Sequence, residues 1–185
     1  MGGYETDSND LGRSSYHRGE KTRGVTPLGR DVLECMEGLG MLPDLAHASE
    51  TTFDDVLKYT KGPVMVSHTG VRSVHPSWRN INDDQIKAVA QRGGVIGIIY
   101  ETMFLGGRTF DRVIDHLEHI MTLVGEEHAA LGSDWGGCLL LPHGMKSASD
   151  LPRLTKNMTE RGWTKRTMAK VLGENAVRLL RCALP

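Results

Sequence analysis

Cysteine, aromatic residues and net charge are all scarce in this sequence. Three of its 185 residues are cysteines, 5% are aromatic, and the formal net charge is −1 at pH 7. Cys35, Cys138 and Cys182 are odd in number, widely spaced and form no CxxC pair. This argues against a disulfide framework and favours a reducing compartment. A net charge close to zero gives no bulk attraction to nucleic acid or to an anionic membrane.

Long apolar runs and the common nucleotide-binding loops are also missing. The longest apolar runs, such as residues 95–100, fall far short of the roughly 20 residues that cross a bilayer. The start, MGGYETDSND, has neither the charged nor the apolar region of a secretory signal, so the chain as it stands is expected to be cytoplasmic. The sequence has no GxxxxGK(S/T), GxGxxG or GxSxG motif, which removes the usual signals for nucleotide binding and serine hydrolase chemistry.

Helical patterns alternate with short apolar runs from residue 25 onwards. Residues 1–24 are rich in Gly, Ser, Asp and Arg without a hydrophobic period, which predicts a flexible N-terminal segment. Residues 25–185 form one predicted domain, whose apolar runs end at residues 47, 68, 100 and 134, 21 to 34 residues apart. That is the rhythm of successive βα units. Helices are predicted over residues 26–39, 83–92, 110–124, 151–161 and 164–181, with a shorter one after Ser49.

The predicted strands are continuous apolar runs, as in parallel sheets covered on both faces. An open doubly wound sheet gives the same pattern, but polar residues follow several consecutive strands, which favours a barrel over a single switch point. A complete barrel takes about 250 residues. The prediction is therefore an α/β fold, a partial (β/α)8 TIM-type barrel of about four βα units plus C-terminal helices. Its strands are residues 42–47, 64–68, 95–100 and 129–133.

Three polar side chains close the predicted strands. His47 and His68 end two successive apolar runs, and Asp134 ends the last one. Neighbouring parallel strands lie about 4.8 Å apart, so the two imidazoles can converge on one ion, and zinc binds nitrogen at about 2.0–2.1 Å. Asp134 can serve there as a ligand, a proton carrier or an anchor for a substrate ammonium. Either histidine alone is more often hydrogen-bonded in a strand–helix turn, but the pair favours a metal site.

Arg79 and two helical histidines are weaker candidates. Arg79 lies in the loop after the second predicted strand, where a guanidinium can grip a substrate carboxylate at two points. From the sequence, a surface charge or a partner for Asp83 or Asp84 is the commoner outcome. His116 and His119 are spaced as on a metal-binding helix, but they flank the apolar stripe of their helix and are expected to face solvent.

At the level of whole motifs, the sequence resembles the membrane (renal) dipeptidase family. The resemblance spans about residues 24–181 in the right order. Several long motifs at compatible spacing make it specific. They are GVTPLGRDVLECMEGLGMLPDLAHAS, GPVMVSHTGVRSVHPSWRNINDDQIKAVAQRGGVIGI, DHLEHIMTLVGEEHAALGSDWGG and the closing DLPRLTKNMTERGWTKRTMAKVLGENAVRLL.

The resemblance implies a (β/α) barrel in which two zinc ions, with a hydroxide between them, hydrolyse dipeptides. Matched position by position, His47 in DLAHAS and His68 in SHT correspond to ligands of one zinc ion. Asp134 in GSDWGG corresponds to the acid beside the metals, which handles the proton and the free amine of the substrate. Arg79 in WRN corresponds to the arginine that holds the substrate carboxylate.

The chain departs from the family pattern in its metal ligands. The family's His-x-Asp zinc pair and bridging glutamate come from the earlier half of the barrel, and no His-x-Asp occurs in this sequence. Residues 67–70 are SHTG where SHSN is usual, and Gly136 replaces the second acid of GSDFDG. One zinc site is therefore expected to be half supplied and the other missing. The chain alone is expected to bind zinc weakly and to hydrolyse dipeptides poorly.

The leading interpretation is the C-terminal half of a zinc-dependent dipeptidase. Its expected partners are a dipeptide substrate and either a complementary N-terminal half or further copies in a homo-oligomer. Two alternatives stay open. One is a non-catalytic barrel remnant or interaction module, whose unpaired strand edges would need cover. The other is a related barrel metallohydrolase that acts on another amide or on a lactone.

Overall fold

A computed structural model describes residues 24–137 and 140–183 of the chain. The predicted flexible segment, apart from Gly24, lies outside these residues, as does Cys138. The strands of the described part are β1 (Met65–Thr69), β2 (Val95–Ile98) and β3 (Ala129–Leu131). Its helices are α1 (Pro27–Gly38), α2 (Glu50–Tyr59), α3 (Asp83–Gln91), α4 (Thr102–Leu105), α5 (Phe110–Val124), α6 (Leu151–Glu160), α7 (Lys165–Ala169) and α8 (Asn175–Ala183).

Side-chain caps begin the first helices, as their sequences predict. The Thr26 hydroxyl accepts a hydrogen bond from Gly29 N (3.1 Å), and Pro27 occupies the first turn of α1. Ser49 caps α2 in the same way through Thr52 N. The structure confirms, to within one residue at each end, the helices predicted over residues 26–39, 83–92, 110–124 and 151–161.

The three strands form a parallel sheet in the order β1-β2-β3. All four residues of β2 are buried, as expected for a central parallel strand covered on both faces. Helices α3 and α5 pack against β2 and against each other. The protein is therefore a mixed α/β fold with a small parallel sheet. The core between the sheet and these helices includes Ile86, Val89, Ile96, Ile98, Val113, Ile114, Leu117 and Ile120.

The prediction of a strand over residues 42–47 is wrong in its extent. Only Asp44 forms an isolated parallel bridge, with Met65 of β1. Pro43 has no N–H to donate to the ladder. In addition, Ser67 N donates its hydrogen bond to the Asp44 carboxylate (2.9 Å). In a longer strand, a backbone carbonyl would accept this bond. The chain then turns away, so the first strand position is reduced to a single pair.

The helix predicted over residues 164–181 is interrupted. α7 and α8 are separated by Lys170–Glu174, within which Gly173 leaves the helical backbone conformation. Glycine is a weak point in a helix interior because it loses the most conformational freedom there. None of the helices in the described residues is both long and apolar enough to cross a membrane.

α8 packs across the amino end of the sheet. Its Leu179 is buried together with Val95 of β2 and Ala130 of β3. Two polar side chains of α8 bind backbone carbonyls at the first residue of β3 and just ahead of β2 and β3, so the amino end of the sheet has both apolar and polar contacts with α8. The bonds run from Asn175 Nδ2 to Ala129 O (2.8 Å), and from Arg178 to Gly93 O (3.0 Å) and Glu127 O (2.9 Å).

The expectation that His116 faces solvent is wrong. His116 is fully buried, its Nδ1 accepts from Val71 N (2.8 Å), and its Nε2 lies 3.3 Å from Leu105 O. The loop after β1 and the unpredicted helix α4 cover this side of α5, which widens its buried face. Burial lowers the pKa of His116 to about 4. His119, one turn on, is partly exposed and lies 2.9 Å from a carboxylate oxygen of Asp83.

Candidate active site

His47, His68 and Asp134 come together at the carboxyl end of the sheet. The Nε2 atoms of His47 and His68 are 2.8 Å apart, and their ring centroids are 4.9 Å apart. The Oδ2 atom of Asp134 lies 3.9 Å from His68 Nε2. Two imidazoles and one carboxylate from three separate segments therefore face one another.

A bulge in β1 brings His68 to this point. Val66 pairs with Ile96 of β2, and Thr69 pairs with Ile98. The two residues between them on β1 thus oppose only one residue of β2, which is the definition of a β-bulge and bends the strand locally. His68 is the second of these two residues, and it is 7% exposed. Bulges are common next to active sites because they redirect a side chain.

His47 and Asp134 both have left-handed backbones. Their φ angles are 64° and 58°, and in the described residues they are the two non-glycine positions with positive φ. Such conformations cost free energy and persist only where the surrounding structure holds them, which is frequent at functional sites. Both residues of this kind belong to the same three-residue cluster.

The environment of His47 favours a neutral imidazole. Burial is the largest cause, and the charges of Arg79 and His68 add to it, lowering the pKa of His47 to about 3. On His68, Nδ1 lies 2.8 Å from Ser67 Oγ. In the tautomer that presents Nε2 to a metal, Nδ1–H donates to that hydroxyl, the kind of outer contact that orients a histidine ligand. Neutral imidazole is the form that binds metals.

Arg79 is buried beside the histidines, and the expectation of a surface charge or an Asp83 or Asp84 partner is wrong. Arg79 is 4% exposed, and its Nη2 donates to His68 O (3.0 Å). Asp83 contacts His119 instead, and Asp84 is exposed. The guanidinium is thereby joined to the backbone of a site histidine.

The loop between β1 and α3 folds back on itself and so buries Arg79. A parallel bridge joins Val71 to Ile81 across this loop. Asn80 Nδ2 donates to Phe104 O (2.8 Å), which ties the loop to α4. The position of Arg79 therefore depends on contacts that no local sequence pattern reveals.

The two histidines fit part of a metal centre. Zinc binds nitrogen at about 2.0–2.1 Å, so two Nε2 atoms 2.8 Å apart can share one ion after a small separation. Within residues 24–137 and 140–183, no group of three or more His, Cys, Asp or Glu side chains has the geometry to hold a metal ion. This part of the chain brings two imidazole nitrogens together but does not complete a coordination shell around them.

An open depression is bordered by the two residues that follow Asp134 in the chain, Trp135 and Gly136. Trp135 follows Asp134 directly and packs edge-on against the buried Tyr100, with ring centroids 5.6 Å apart. Apolar and polar groups both border the depression, whose volume is 410 Å³. Its lining residues are Trp135, Gly136, Leu141, Lys146, Ser147 and Ala148.

Buried Glu101 anchors the far end of the loop that follows β3. One carboxylate oxygen accepts from Met103 N (3.0 Å), and the other accepts from Leu140 N (2.8 Å). Thr102 N donates back to Leu140 O (3.0 Å). The sequence around Glu101 does not indicate this role, because glutamate is not a preferred helix N-cap residue.

Asp44 and Ser67 are two further residues that the sequence analysis misses. Asp44 holds Ser67 N, and Ser67 Oγ contacts the His68 ring. One signal for the bulge was available. Gly97 stands inside the apolar run 95–100, and a glycine within a strand often marks a bulge or a close backbone approach.

A parallel α/β sheet with histidines and an aspartate at its carboxyl end is typical of barrel metallohydrolases. The model of the membrane dipeptidase family, peptidase family M19, matches residues 5–183. The chain belongs to this family. Because the match begins at residue 5, most of the segment predicted as a flexible N-terminal extension is also family sequence.

Three relatives are similar over most of this chain. Dipeptidase 3 of Mus musculus is 33% identical over 172 residues, which cover 90% of this chain and 34% of that protein. The crystal structure of a metallo peptidase from Rhodobacter sphaeroides, liganded with a phosphinate mimic of the dipeptide L-Ala-D-Ala, is 32% identical with a TM-score of 0.82. The matched region covers 86% of this chain and 47% of the Rhodobacter sphaeroides chain.

The third relative has a broader name. The crystal structure of an amidohydrolase from Pseudomonas aeruginosa is 27% identical with a TM-score of 0.86, and covers 95% of this chain and 62% of that chain. This chain therefore spans between 34% and 62% of the length of these three relatives.

Proposed function

We propose that this chain is the C-terminal half of a metal-dependent dipeptidase barrel and carries part of its active site. Membership of the membrane dipeptidase family supports this, as does the likeness to a metallo peptidase whose structure holds a dipeptide mimic. The observation that carries the proposal is the contact of His47 with His68, 2.8 Å between Nε2 atoms, beside Asp134.

The order of the parallel segments supports the half-barrel. The segment at Asp44, then β1, β2 and β3, lie side by side in chain order, as successive strands of a barrel do. The two outer positions, at Asp44 and at β3, are where further strands would pair. We propose that a complementary N-terminal half, or a second copy of the chain, supplies these strands and the remaining metal ligands.

His47 and His68 would hold one zinc ion in this proposal. A bound zinc ion polarises a peptide carbonyl and makes a water ligand more acidic. The chain's own residues keep the imidazoles ready for that ion. Burial and the charge of Arg79 keep His47 neutral, and Ser67 Oγ contacts the far nitrogen of the His68 ring.

Asp134 and Arg79 would hold the two ends of a dipeptide. The Asp134 carboxylate, 3.9 Å from His68 Nε2, can bind the substrate ammonium and can accept a proton during hydrolysis. Arg79 would bind the terminal carboxylate, because a guanidinium can hold a carboxylate through two parallel charge-assisted hydrogen bonds. Because Arg79 also donates to His68 O, it would link the bound carboxylate to the metal ligand's backbone.

A second candidate is hydrolysis of another amide bond at the same site. The likeness to a structure described as an amidohydrolase favours it.

Zinc titration of the 185-residue chain tests the proposed site directly. We expect weak binding of one zinc ion, loss of that binding in His47→Ala and in His68→Ala, and wild-type binding in His143→Ala. His143 is an exposed histidine and therefore serves as the matched control. Isothermal titration calorimetry measures all four affinities.

Hydrolysis assays then separate the two candidate activities. The zinc-loaded chain is assayed with Gly-Leu, with other dipeptides, and with a panel of unrelated amides and lactones. Slow dipeptide hydrolysis that is lost with Asp134→Asn supports the dipeptidase, whereas turnover confined to the other substrates supports the second candidate. No zinc binding at His47 and His68 and no hydrolysis would contradict the proposed site and favour a non-catalytic barrel remnant.

A further inference from the structure

The peptide between Ser67 and His68 lies against two glycines, one in β2 and one just after β3. Gly97 is in β2, and Gly132 follows β3 directly. A Cβ built on either glycine would meet Ser67 O at well under 3.0 Å, a separation that real Cβ atoms do not show. The Ser67 carbonyl therefore occupies the space that a side chain at either position would need.

At both glycines, an added Cβ would also approach backbone atoms of the other glycine. A Cβ on Gly97 would also lie 3.0 Å from Gly132 Cα, and one on Gly132 would lie 3.0 Å from Gly97 Cα. Backbone atoms cannot rotate away as the end of a flexible side chain can. We call the gap formed by Gly97 and Gly132 the glycine notch.

The other side of the same peptide segment is also fixed. Ser67 N donates to Asp44 Oδ1 (2.9 Å), and the same oxygen accepts from Ala46 N (3.0 Å). Asp44 thus joins the segment that carries His47 to the residue that precedes His68. The bulge is held from one side by a carboxylate and from the other by the notch.

We propose that Gly97 and Gly132 are positioning residues for His68. The notch accepts the Ser67 carbonyl, fixes the β1 bulge and thereby brings His68 Nε2 to 2.8 Å from His47 Nε2. A methyl group in the notch moves the Ser67 carbonyl out and separates the two rings. The functional meaning of this inference rests on the proposed metal site. The contact between His47 and His68 that it explains is present without a metal ion.

The test compares four single Gly→Ala variants in the metal-free chain. Gly97→Ala and Gly132→Ala fill the notch. Gly94→Ala is the matched control, because its Cβ would also overlap backbone, at Val64 O and Val89 O (2.9 Å), but just before the start of β2 and away from the site. Gly38→Ala, with nothing within 4 Å of the added methyl group, controls for the substitution alone.

Imidazole nitrogen NMR of the histidines is the main measurement, made on each variant below its own unfolding temperature. The wild-type chain is expected to show coupling between the Nε2 atoms of His47 and His68 across their contact. We expect this signal to vanish in Gly97→Ala and Gly132→Ala and to persist in Gly94→Ala, even where the unfolding temperatures fall equally. Zinc affinity is expected to drop at least tenfold in the notch variants only.

The two proposals fail in different ways. If the wild-type chain shows the imidazole coupling but binds no zinc, the proposed function fails and the notch can still be judged by NMR. If the notch variants keep the wild-type imidazole signals, the positioning role is overturned whatever the zinc affinity.

Asp44→Ala keeps the proposal testable if both notch variants fail to fold. It releases the Ser67 peptide from the opposite side without any steric overlap. We expect the same loss of imidazole coupling, with Asp44→Asn restoring part of it because an amide oxygen still accepts a hydrogen bond. Wild-type coupling in Asp44→Ala would overturn the inference that the bulge is held from both sides, because the Asp44 bond would then not position His68.

Discussion

The two ends of the parallel sheet are built in opposite ways. At the amino end, Leu179 of α8 is buried against Val95 and Ala130, and polar side chains of α8 bind the neighbouring backbone. At the carboxyl end, His47 and Asp134 adopt left-handed backbones. The amino end thus contributes ordinary packing and hydrogen bonding, whereas the carboxyl end contains strain and apposed titratable groups. The α8 packing and the residues of the candidate site therefore lie at opposite ends of the strands.

The largest effect on stability is expected at the amino end. Leu179→Ala removes a side chain that is 2% exposed, and such truncations cost about 2–5 kcal/mol of the free energy of unfolding. Zinc affinity is expected to stay at the wild-type value at temperatures where the variant is folded. Denaturant titration and calorimetry measure the two quantities.

Leu180→Ala is the matched control, since Leu180 is 49% exposed. It is expected to change stability by no more than about 0.5 kcal/mol. Equal losses in the two variants, or weakened zinc binding in Leu179→Ala, would contradict the separation of the two ends.

Acid is expected to destabilise the protein through the carboxyl end. His116, which accepts from Val71 N in the loop leading to Arg79, has its pKa lowered from 6.5 to about 4 by burial. Between these two pH values the unfolded chain takes up a proton that the folded chain does not. The free energy of unfolding therefore falls as the pH drops from 6.5 to 4, by about 3 kcal/mol for this group.

Measuring stability from pH 7.5 to pH 4 checks this expectation. His116→Asn keeps an oxygen near the acceptor position and removes the titration, so its stability is expected to depend less steeply on pH. Amide hydrogen exchange adds a local measurement, because Val71 N–H should lose protection in acid before Leu179 N–H does. A wild-type pH slope in His116→Asn would refute this assignment.

The smallest expected effect on the free energy of unfolding is an increase, at Asp134. Asp134→Gly relieves a left-handed backbone, with φ of 58°, and is expected to raise the free energy of unfolding by about 0.5–1 kcal/mol while abolishing any hydrolysis. Asp84→Gly, in the first turn of α3, is the control and is expected to lower it by a similar amount. A loss of stability in Asp134→Gly would show that the carboxyl end is not strained at this residue.

Local signals predicted the helices better than the strands. A cap residue, a proline in the first turn and an apolar stripe are all visible within a dozen residues, so α1 and α5 could be bounded from sequence. The limits of the strand predicted over residues 42–47 could not be derived in this way, because the length of that strand depends on the hydrogen bond between Asp44 and Ser67, 23 residues away. The break at Gly173 was visible only as a glycine within a helical pattern.

The candidate site was predictable in its residues but not in its geometry. The position of His47 and His68 after apolar runs suggested that they meet. The β1 bulge and the left-handed backbone at His47, which set how closely they meet, arise from contacts across the sheet. The burial of Arg79 likewise follows from the bridge between Val71 and Ile81, and no property of the residues around Arg79 indicates it.

Both ends of the loop after β3 are fastened to one short stretch of chain. Gly132 N donates to Ile98 O (2.9 Å), and Leu140 is bound through its N–H and its carbonyl to Glu101 and Thr102. A change of length or composition between Gly132 and Leu140 would leave both attachment points, and hence the pairing of β2 with β3, in place. The segment that carries Asp134 is therefore attached at both ends through its own backbone, whatever side chains it bears between them.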